Sequence, residues 1–272
     1  MADGVTLDEA ERFGARIVRS GQQAIAEAAV AADVVLVAVG NDPHLAGRET
    51  ADRPHLMLPE VFAEVWRIAR RHAEQVVLTI VSSYPYVLGD AFAAETIVWS
   101  SHGGQELGNG LVDVLSGDVE PTGRLAQSWP ADPAQAGDLF DYDTLRQQAT
   151  YRHHPEPYAF AFGHGCTYSA VRYEDVQLSE PQVAAPEPTH HHPALVAYER
   201  VRLEPGESRE VELSFDARRL AVWDDELRIE GAPEDWVHAG ALRVQPGAYR
   251  IAAGPSADAL EVDATLTVAV RS

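Results

Sequence analysis

Asp33-Val34-Val35-Leu36-Val37-Ala38-Val39-Gly40 is an apolar run closed by a glycine. The stretch after it, Asn41-Asp42-Pro43-His44-Leu45-Ala46-Gly47-Arg48-Glu49-Thr50-Ala51-Asp52-Arg53, is the most polar piece of the first domain. An uninterrupted apolar run reads as a strand buried on both faces, the pattern of a parallel sheet. Upstream, Ala24 to Ala32 reads as the end of an Ala-rich helix. Downstream, Leu58 to Glu74 carries Val61, Val65, Ile68 and Ala69 near helical spacing. Gln75 to Val81 is a second buried strand and Thr96 to Trp99 a third. Gln105 to Ser116 is a helix with Leu107, Leu111, Val112 and Leu115 on one side. Buried strands alternating with helices predict an α/β fold, a mainly parallel sheet sandwiched by helices. The ligands of such sheets sit beyond the carboxyl ends of the strands, where the polar stretch 41–53 lies.

The texture changes further along. Residues 138–178 are aromatic-rich and Gly-punctuated with little periodicity. Pro181 to Pro193 is rich in Pro, Ala and His and reads as a linker. Beyond it, Val201–Leu203, Glu210–Phe215, Ala248–Ile251 and Leu260–Val270 alternate with period 2 between turns at Pro205-Gly206, Pro246-Gly247 and Gly254-Pro255. That is the pattern of a small antiparallel β-sandwich. The expected organisation is a tail over 1–20, an α/β domain over 21–135, an ordered connecting segment over 136–180, a linker over 181–193 and a β-domain over 194–272.

Composition narrows the function. The 272 residues carry 21 Lys+Arg against 42 Asp+Glu, a net charge of -21, and every one of the basic residues is Arg. Such a chain repels phosphate backbones and anionic membranes, so no nucleic-acid or membrane partner is expected. Without Lys there is no P-loop and no Schiff base. The single Cys166 excludes an intrachain disulfide and a Cys-based zinc site. No signal peptide is visible before Arg12, and no apolar run is long enough to span a bilayer. The expected location is cytoplasmic, with neutral small molecules such as sugars as ligands and no cofactor or metal.

On residue types alone, the stretch 41–53 is by default a solvated charged loop. It offers two carboxylates, Glu49 and Asp52, and two guanidinium groups, Arg48 and Arg53; a carboxylic acid so placed suits general acid–base work. Other features read more plainly. Ser82-Ser83 lacks a Gly-x-Ser-x-Gly elbow, so it is not read as a hydrolase nucleophile. Gly103-Gly104 is a structural turn, His190 to His192 a solvated run, and His153-His154 exposed. Cys166 reads as a buried thiol, and the aromatics of Tyr151 to Tyr168 as packing against the α/β domain.

A family resemblance changes the weight of the polar loop. Its pieces are Gly47-Arg48-Glu49-Thr50-Ala51-Asp52-Arg53, Leu56-Met57-Leu58-Pro59-Glu60, Ser82-Ser83-Tyr84-Pro85-Tyr86 and Trp99 to Glu106. Asp113 to Asp118, Pro121 to Leu125, and Phe162-Gly163-His164-Gly165-Cys166-Thr167-Tyr168 complete the set. In this order and spacing, the run from Ala32 to Pro130 with its Phe162–Tyr168 signature resembles the C-terminal α/β-sandwich domain of glycoside hydrolase family 3, the β-glucosidase and β-xylosidase family. Cys166 stands where the family has Leu. The resemblance implies that Glu49 is the general acid/base of a retaining β-glycosidase, that Asp52 and Arg53 hold the shape of the loop, with Arg48 beside them, and that His102 and Glu106 shape the wall behind it. It implies a β-linked glycoside or oligosaccharide as substrate and a nucleophilic Asp in an N-terminal (β/α)8 barrel.

Only about 30 residues precede the first strand, against roughly 250 for such a barrel. The expectation is therefore a half-site completed by a barrel on another chain or an upstream segment. Ala194 to Ser208, Trp223 and Val244 to Tyr249 resemble the later half of the family's fibronectin type III-like domain, so the β-sandwich is expected to be small and incomplete. Two alternatives stand beside this reading: a non-catalytic sugar-binding or interaction remnant, and a free-standing flavodoxin-like binder with a closed pocket at the strand ends.

Overall fold

The computed structural model describes residues 21–41, 53, 55–144, 146–154, 156–179, 182–184, 194–224 and 241–269. The chain divides into two compact units, Met1–Ala170 and Val171–Ser272. In the first, β1 (Val35–Gly40), β2 (Val76–Val81) and β3 (Thr96–Ser100) form a parallel sheet in the order β1-β2-β3. The register pairs Val35 with Val76 through Gly40 with Val81, and Val77 with Thr96 through Val81 with Ser100. Helix α1 covers 21–30, α2 (Glu60–His72) lies between β1 and β2, and α3 (Leu107–Ser116) follows β3. This is the predicted alternation.

The central strand is the most buried of the three: Val76, Leu78, Thr79 and Ile80 of β2 are all buried. Val37 and Val39 of β1 join them in one core with Trp66 and Ala69 of α2. Helix α2 buries Ala63, Trp66, Ile68 and Ala69, which recur at helical spacing, and its ends carry Glu60 first and Arg70, Arg71 and His72 last. Each sign sits where the helix dipole favours it. On the outer face Arg67 meets Glu60 at 2.6 Å, Glu64 at 3.1 Å and Asp90 at 2.5 Å, which ties the helix to the segment after β2. The Arg67 hydrogen bonds hold the Asp90 carboxyl below its ordinary range. Helix α3 closes on Gly117 at φ 84°, a left-handed cap that glycine adopts without strain.

Past α3 the chain makes few regular elements, as its lack of periodicity foretells, yet part of it packs on the core. Trp129 is buried against Trp99 and Phe160, with ring centroids 6.1 and 6.0 Å apart, and its backbone N–H donates to the Phe160 carbonyl at 2.8 Å. Tyr151 stacks on Phe162 at 4.7 Å. Two expectations are corrected here. Cys166 is exposed, because the stretch that carries it runs at the surface: Phe162 is half-buried against Tyr151, and Tyr168 is 61% exposed. His153 and His154 are half-buried, and Tyr158 lies 5.4 Å from the His154 ring.

In the second unit β4 (Gln182–Ala184), β5 (Ala221–Asp224), β6 (Ala241–Val244), β7 (Gly247–Ala253) and β8 (Val262–Ala269) form two small sheets, in the orders β4-β8-β7 and β5-β6. Tyr249, Leu266 and Val268 are their buried centre, with Phe215, Leu220 and Val244 packed around it. The Tyr249 hydroxyl donates to the Gln245 carbonyl at 2.6 Å. β7 and β8 follow the alternation read from sequence. Val201–Leu203 and Glu210–Phe215 do not join a ladder: Val211 and Leu213 stay exposed and only Phe215 of that alternation packs inward. Alternation describes a face to be buried and supplies no neighbouring strand. Conversely Gln182–Ala184, read as the start of a linker, pairs in parallel with Thr267–Ala269. Three residues are too few to show a period. Residues 185–193, including His190 to His192, lie outside the described residues.

Candidate functional site

Gly40 ends β1 because nothing larger fits. A Cβ there would stand 1.9 Å from the Val81 carbonyl oxygen, the atom that accepts the Asn41 N–H at 3.1 Å. The chain therefore leaves the sheet hugging β2. Asn41 then fixes the exit: its Oδ1 accepts the Ser83 N–H at 3.1 Å and lies 3.3 Å from His102 Nε2. One side chain thus joins the three segments that follow β1, β2 and β3. Its Nδ2 is buried with no hydrogen-bond partner among the described residues.

The turn after β2 is built to be rigid. Ser82 is fully buried; its hydroxyl donates to the Tyr84 carbonyl at 2.7 Å and accepts the Trp99 indole N–H at 3.0 Å. Both capacities of the hydroxyl are used, which agrees with reading it as no nucleophile. Tyr84 and Tyr86 meet edge to face at 5.5 Å. Arg53 closes the arrangement: its guanidinium carbon lies 3.5 Å from the centre of the Tyr84 ring, and its Nη1 donates to the Pro85 carbonyl at 3.0 Å. Burial lowers the Arg53 pKa and raises that of Tyr86.

Asn41 and Arg53, the flanks of the polar stretch, are therefore both bonded to the Ser83–Pro85 turn, at the carboxyl end of the parallel sheet. Glu49, Arg48 and Asp52 lie outside the described residues. Of the remaining sequence-predicted residues, the structure brings Arg53 and His102 to this cluster. Glu106 is exposed and accepts the Asn109 side-chain N–H at 2.7 Å, so its described partner is at the start of α3. Sequence reasoning assigned no role to Asn41, Ser82 or Tyr84, although Ser82 to Tyr86 was one of the pieces of the family resemblance and Ser82 was set aside as a nucleophile. The available signal was their position, polar or aromatic residues directly after buried strands. Among the described residues no three His, Cys, Asp or Glu side chains converge as metal ligands, and no helix is long and apolar enough to cross a membrane.

Comparison with known proteins gives this geometry a context. Residues 6–168 match the glycosyl hydrolase family 3 C-terminal domain, and residues 178–257 a fibronectin type III-like domain. A probable β-glucosidase J of Aspergillus fumigatus is 28% identical over 75% of this chain, and the match covers 29% of that protein. A probable β-glucosidase K of Emericella nidulans is 27% identical over 89% of the chain, covering 32% of its own length. The chain thus spans about a third of the length of these curated relatives. Among solved structures, a β-glucosidase from Kluyveromyces marxianus in complex with glucose superposes with a TM-score of 0.74 at 22% identity, over 92% of this chain and 33% of that one. DesR, a β-glucosidase from Streptomyces venezuelae, has the same TM-score of 0.74 at 21% identity, over 97% and 36%. At these identities the likeness is one of fold.

Proposed function

Since the chain belongs to glycosyl hydrolase family 3 through its C-terminal domain, we propose that it is the C-terminal portion of a retaining β-glycosidase, in which Glu49 is the general acid/base. A (β/α)8 barrel on another chain or an upstream segment supplies the nucleophilic carboxylate and most of the sugar-binding groups. The observation that carries this reading is the seating of both flanks of the Glu49 stretch on one turn, at the end of the sheet where α/β proteins place their ligands. Glu49 precedes Arg53 by four residues. Covalent geometry alone keeps its Cα within about 14 Å of the anchored arginine.

In the glycosylation step the nucleophile attacks the anomeric carbon while Glu49 gives its proton to the departing oxygen. In the second step Glu49, now a carboxylate, takes a proton from the water that attacks the glycosyl-enzyme. The two carboxyl groups must come within roughly 5–5.5 Å for this cycle. Arg53 holds one flank through Tyr84 and Pro85, and His102 supports the other through Asn41. Arg48, Asp52 and Glu106 complete the loop and the wall behind it. A β-linked glycoside or oligosaccharide is the substrate.

The test is hydrolysis of aryl β-glycosides by the purified chain, alone and mixed with a separately produced family 3 barrel. The chain alone is expected to be inactive. The mixture is expected to turn over, and Glu49→Gln to lower its rate by about 10²–10⁴-fold on substrates with poor leaving groups. Undiminished turnover by Glu49→Gln refutes the role. Activity of the chain alone that vanishes in Glu49→Gln refutes the half-site, because a second carboxylate would then reside here.

A further inference from the structure

Asn41, Ser83 and His102 follow β1, β2 and β3 and meet at the carboxyl end of the parallel sheet. The Ser83 group that meets the Asn41 side chain is a backbone N–H, 3.1 Å from Oδ1. A backbone N–H only donates, so the amide atom facing it is the oxygen, and the orientation of the side-chain amide is settled. Turned over, the amide would set Nδ2 against that N–H, donor against donor. The same Oδ1 lies 3.3 Å from His102 Nε2. A carbonyl oxygen only accepts, so Nε2 must carry a hydrogen. In the neutral ring the other nitrogen, Nδ1, then has none and is an acceptor.

We propose that Asn41 is a positioning residue that acts through His102: it keeps the ring proton on Nε2 and so makes Nδ1 a hydrogen-bond acceptor at the carboxyl end of β3. The choice of an amide matters. An aspartate at 41 could accept from the same two groups, but its charge would favour the imidazolium, whose two nitrogens both donate. An amide sets the direction of the ring without adding that charge. Its buried Nδ2 is left without a partner among the described residues, the cost of turning Oδ1 toward both donors. A group that meets Nδ1 must bring a hydrogen. A sugar hydroxyl does; a carboxylate does not, and the net charge of -21 disfavours anions in any case. The last step rests on the glycosidase reading above: His102 accepts a hydroxyl hydrogen of the glycoside and is not a second acid beside Glu49.

The experiment is long-range proton–nitrogen correlation NMR of the full chain with isotopically labelled histidine, recorded above the ordinary imidazole range, where His102→Gln assigns the His102 signals by their loss. The ring is expected in the Nε2–H form with a directly observed Hε2. Asn41→Leu, of similar size, is expected to lose that Hε2 signal and to average the two nitrogens over both forms. Asn41→Asp, which keeps an oxygen in place, restores the signal. An Nδ1–H ring in the wild type, or an unchanged ring spectrum in Asn41→Leu, overturns the proposal. If Asn41→Leu does not fold, the wild-type ring and Asn41→Asp still decide it. These spectra need no turnover, so they stand apart from the role of Glu49. With the barrel added, His102→Phe keeps a ring and removes the acceptor. It is expected to raise KM by about three- to tenfold with a smaller change in kcat; an unchanged KM overturns the hydroxyl contact. A mixture without turnover refutes the half-site and leaves the tautomer result in force.

Discussion

Ser82→Ala is the sharpest probe of the turn that seats the polar loop. The hydroxyl donates to the Tyr84 carbonyl and accepts the Trp99 indole N–H, from a side chain with no solvent exposure. Each bond contributes about 1 kcal/mol net, and a buried partner left unsatisfied costs about 1–3 kcal/mol. Water has no room to replace the oxygen. The sum is about 2–3 kcal/mol, a large part of the 5–15 kcal/mol typical of a folded protein. At a urea slope of about 2 kcal/mol/M, the unfolding midpoint of the first unit should fall by about 1 M. Trp99→Phe removes the indole donor and keeps a ring against Trp129. In the Ser82→Ala background it should therefore cost less than it does in the wild type, by about 1 kcal/mol of coupling. Urea unfolding of the four proteins, followed by tryptophan emission and circular dichroism, measures this. A shift under 0.5 kcal/mol for Ser82→Ala, or strict additivity in the cycle, would refute the assignment of the hydroxyl as the keystone of the turn.

Two further outcomes follow from the same geometry. Gly40→Ala places a Cβ 1.9 Å from the Val81 carbonyl oxygen. The strand ends must part, and a loss of roughly 2–3 kcal/mol is expected, with faster hydrogen exchange at Asn41 and Ser83; an unchanged midpoint contradicts the close approach. Tyr86 has its pKa raised above the ordinary 10.0, chiefly by burial. Its contribution to stability is therefore fully present below pH 10 and is lost as pH rises beyond it, since the unfolded chain ionises first. The decline in unfolding midpoint above pH 10 should shrink in Tyr86→Phe, and an identical decline in both proteins rules out Tyr86 as its source.

The first unit was legible because its signals are long and local. Val76 to Val81, apolar but for Thr79, becomes the central strand, and the helical spacing of α2 is realised by Ala63, Trp66 and Ala69, with Ile68 buried beside them and Val61 and Val65 of the expected face half-buried. The second unit was less so. Its strands β7 and β8 announce themselves by alternation, but the same alternation at Glu210–Phe215 yields no ladder, and Gln182–Ala184 forms one without it. Pairing depends on which edge is near, which a period does not encode. At the site, position beyond buried strands singled out 41–53, whose described ends, Asn41 and Arg53, both bond to the turn after β2. The roles of Asn41, Ser82 and Tyr84 were hidden because each is set by a partner distant in sequence: Ser83 for Asn41, Trp99 for Ser82 and Arg53 for Tyr84.

These partnerships explain why the motif at the end of the loop and the motif after β2 occur together. Closing a segment the length of 42–52 carries an entropic cost with a length-dependent part of about 2 kcal/mol. At one flank, the hydrogen bond from the Ser83 N–H to Asn41 returns about 1 kcal/mol. At the other, the Arg53 stack on Tyr84 contributes about 0.5–2 kcal/mol, and its bond to the Pro85 carbonyl adds about 1 kcal/mol. The Asn41 flank alone does not offset this part of the closure cost, the Arg53 flank roughly matches it, and the two together exceed it. Arg53 and Ser82-Ser83-Tyr84-Pro85-Tyr86 therefore act as one device written in two places. Losing the Tyr84 ring should loosen the Arg53 flank as losing the arginine itself would. The two anchors therefore fix where the 42–52 stretch leaves and rejoins the described residues.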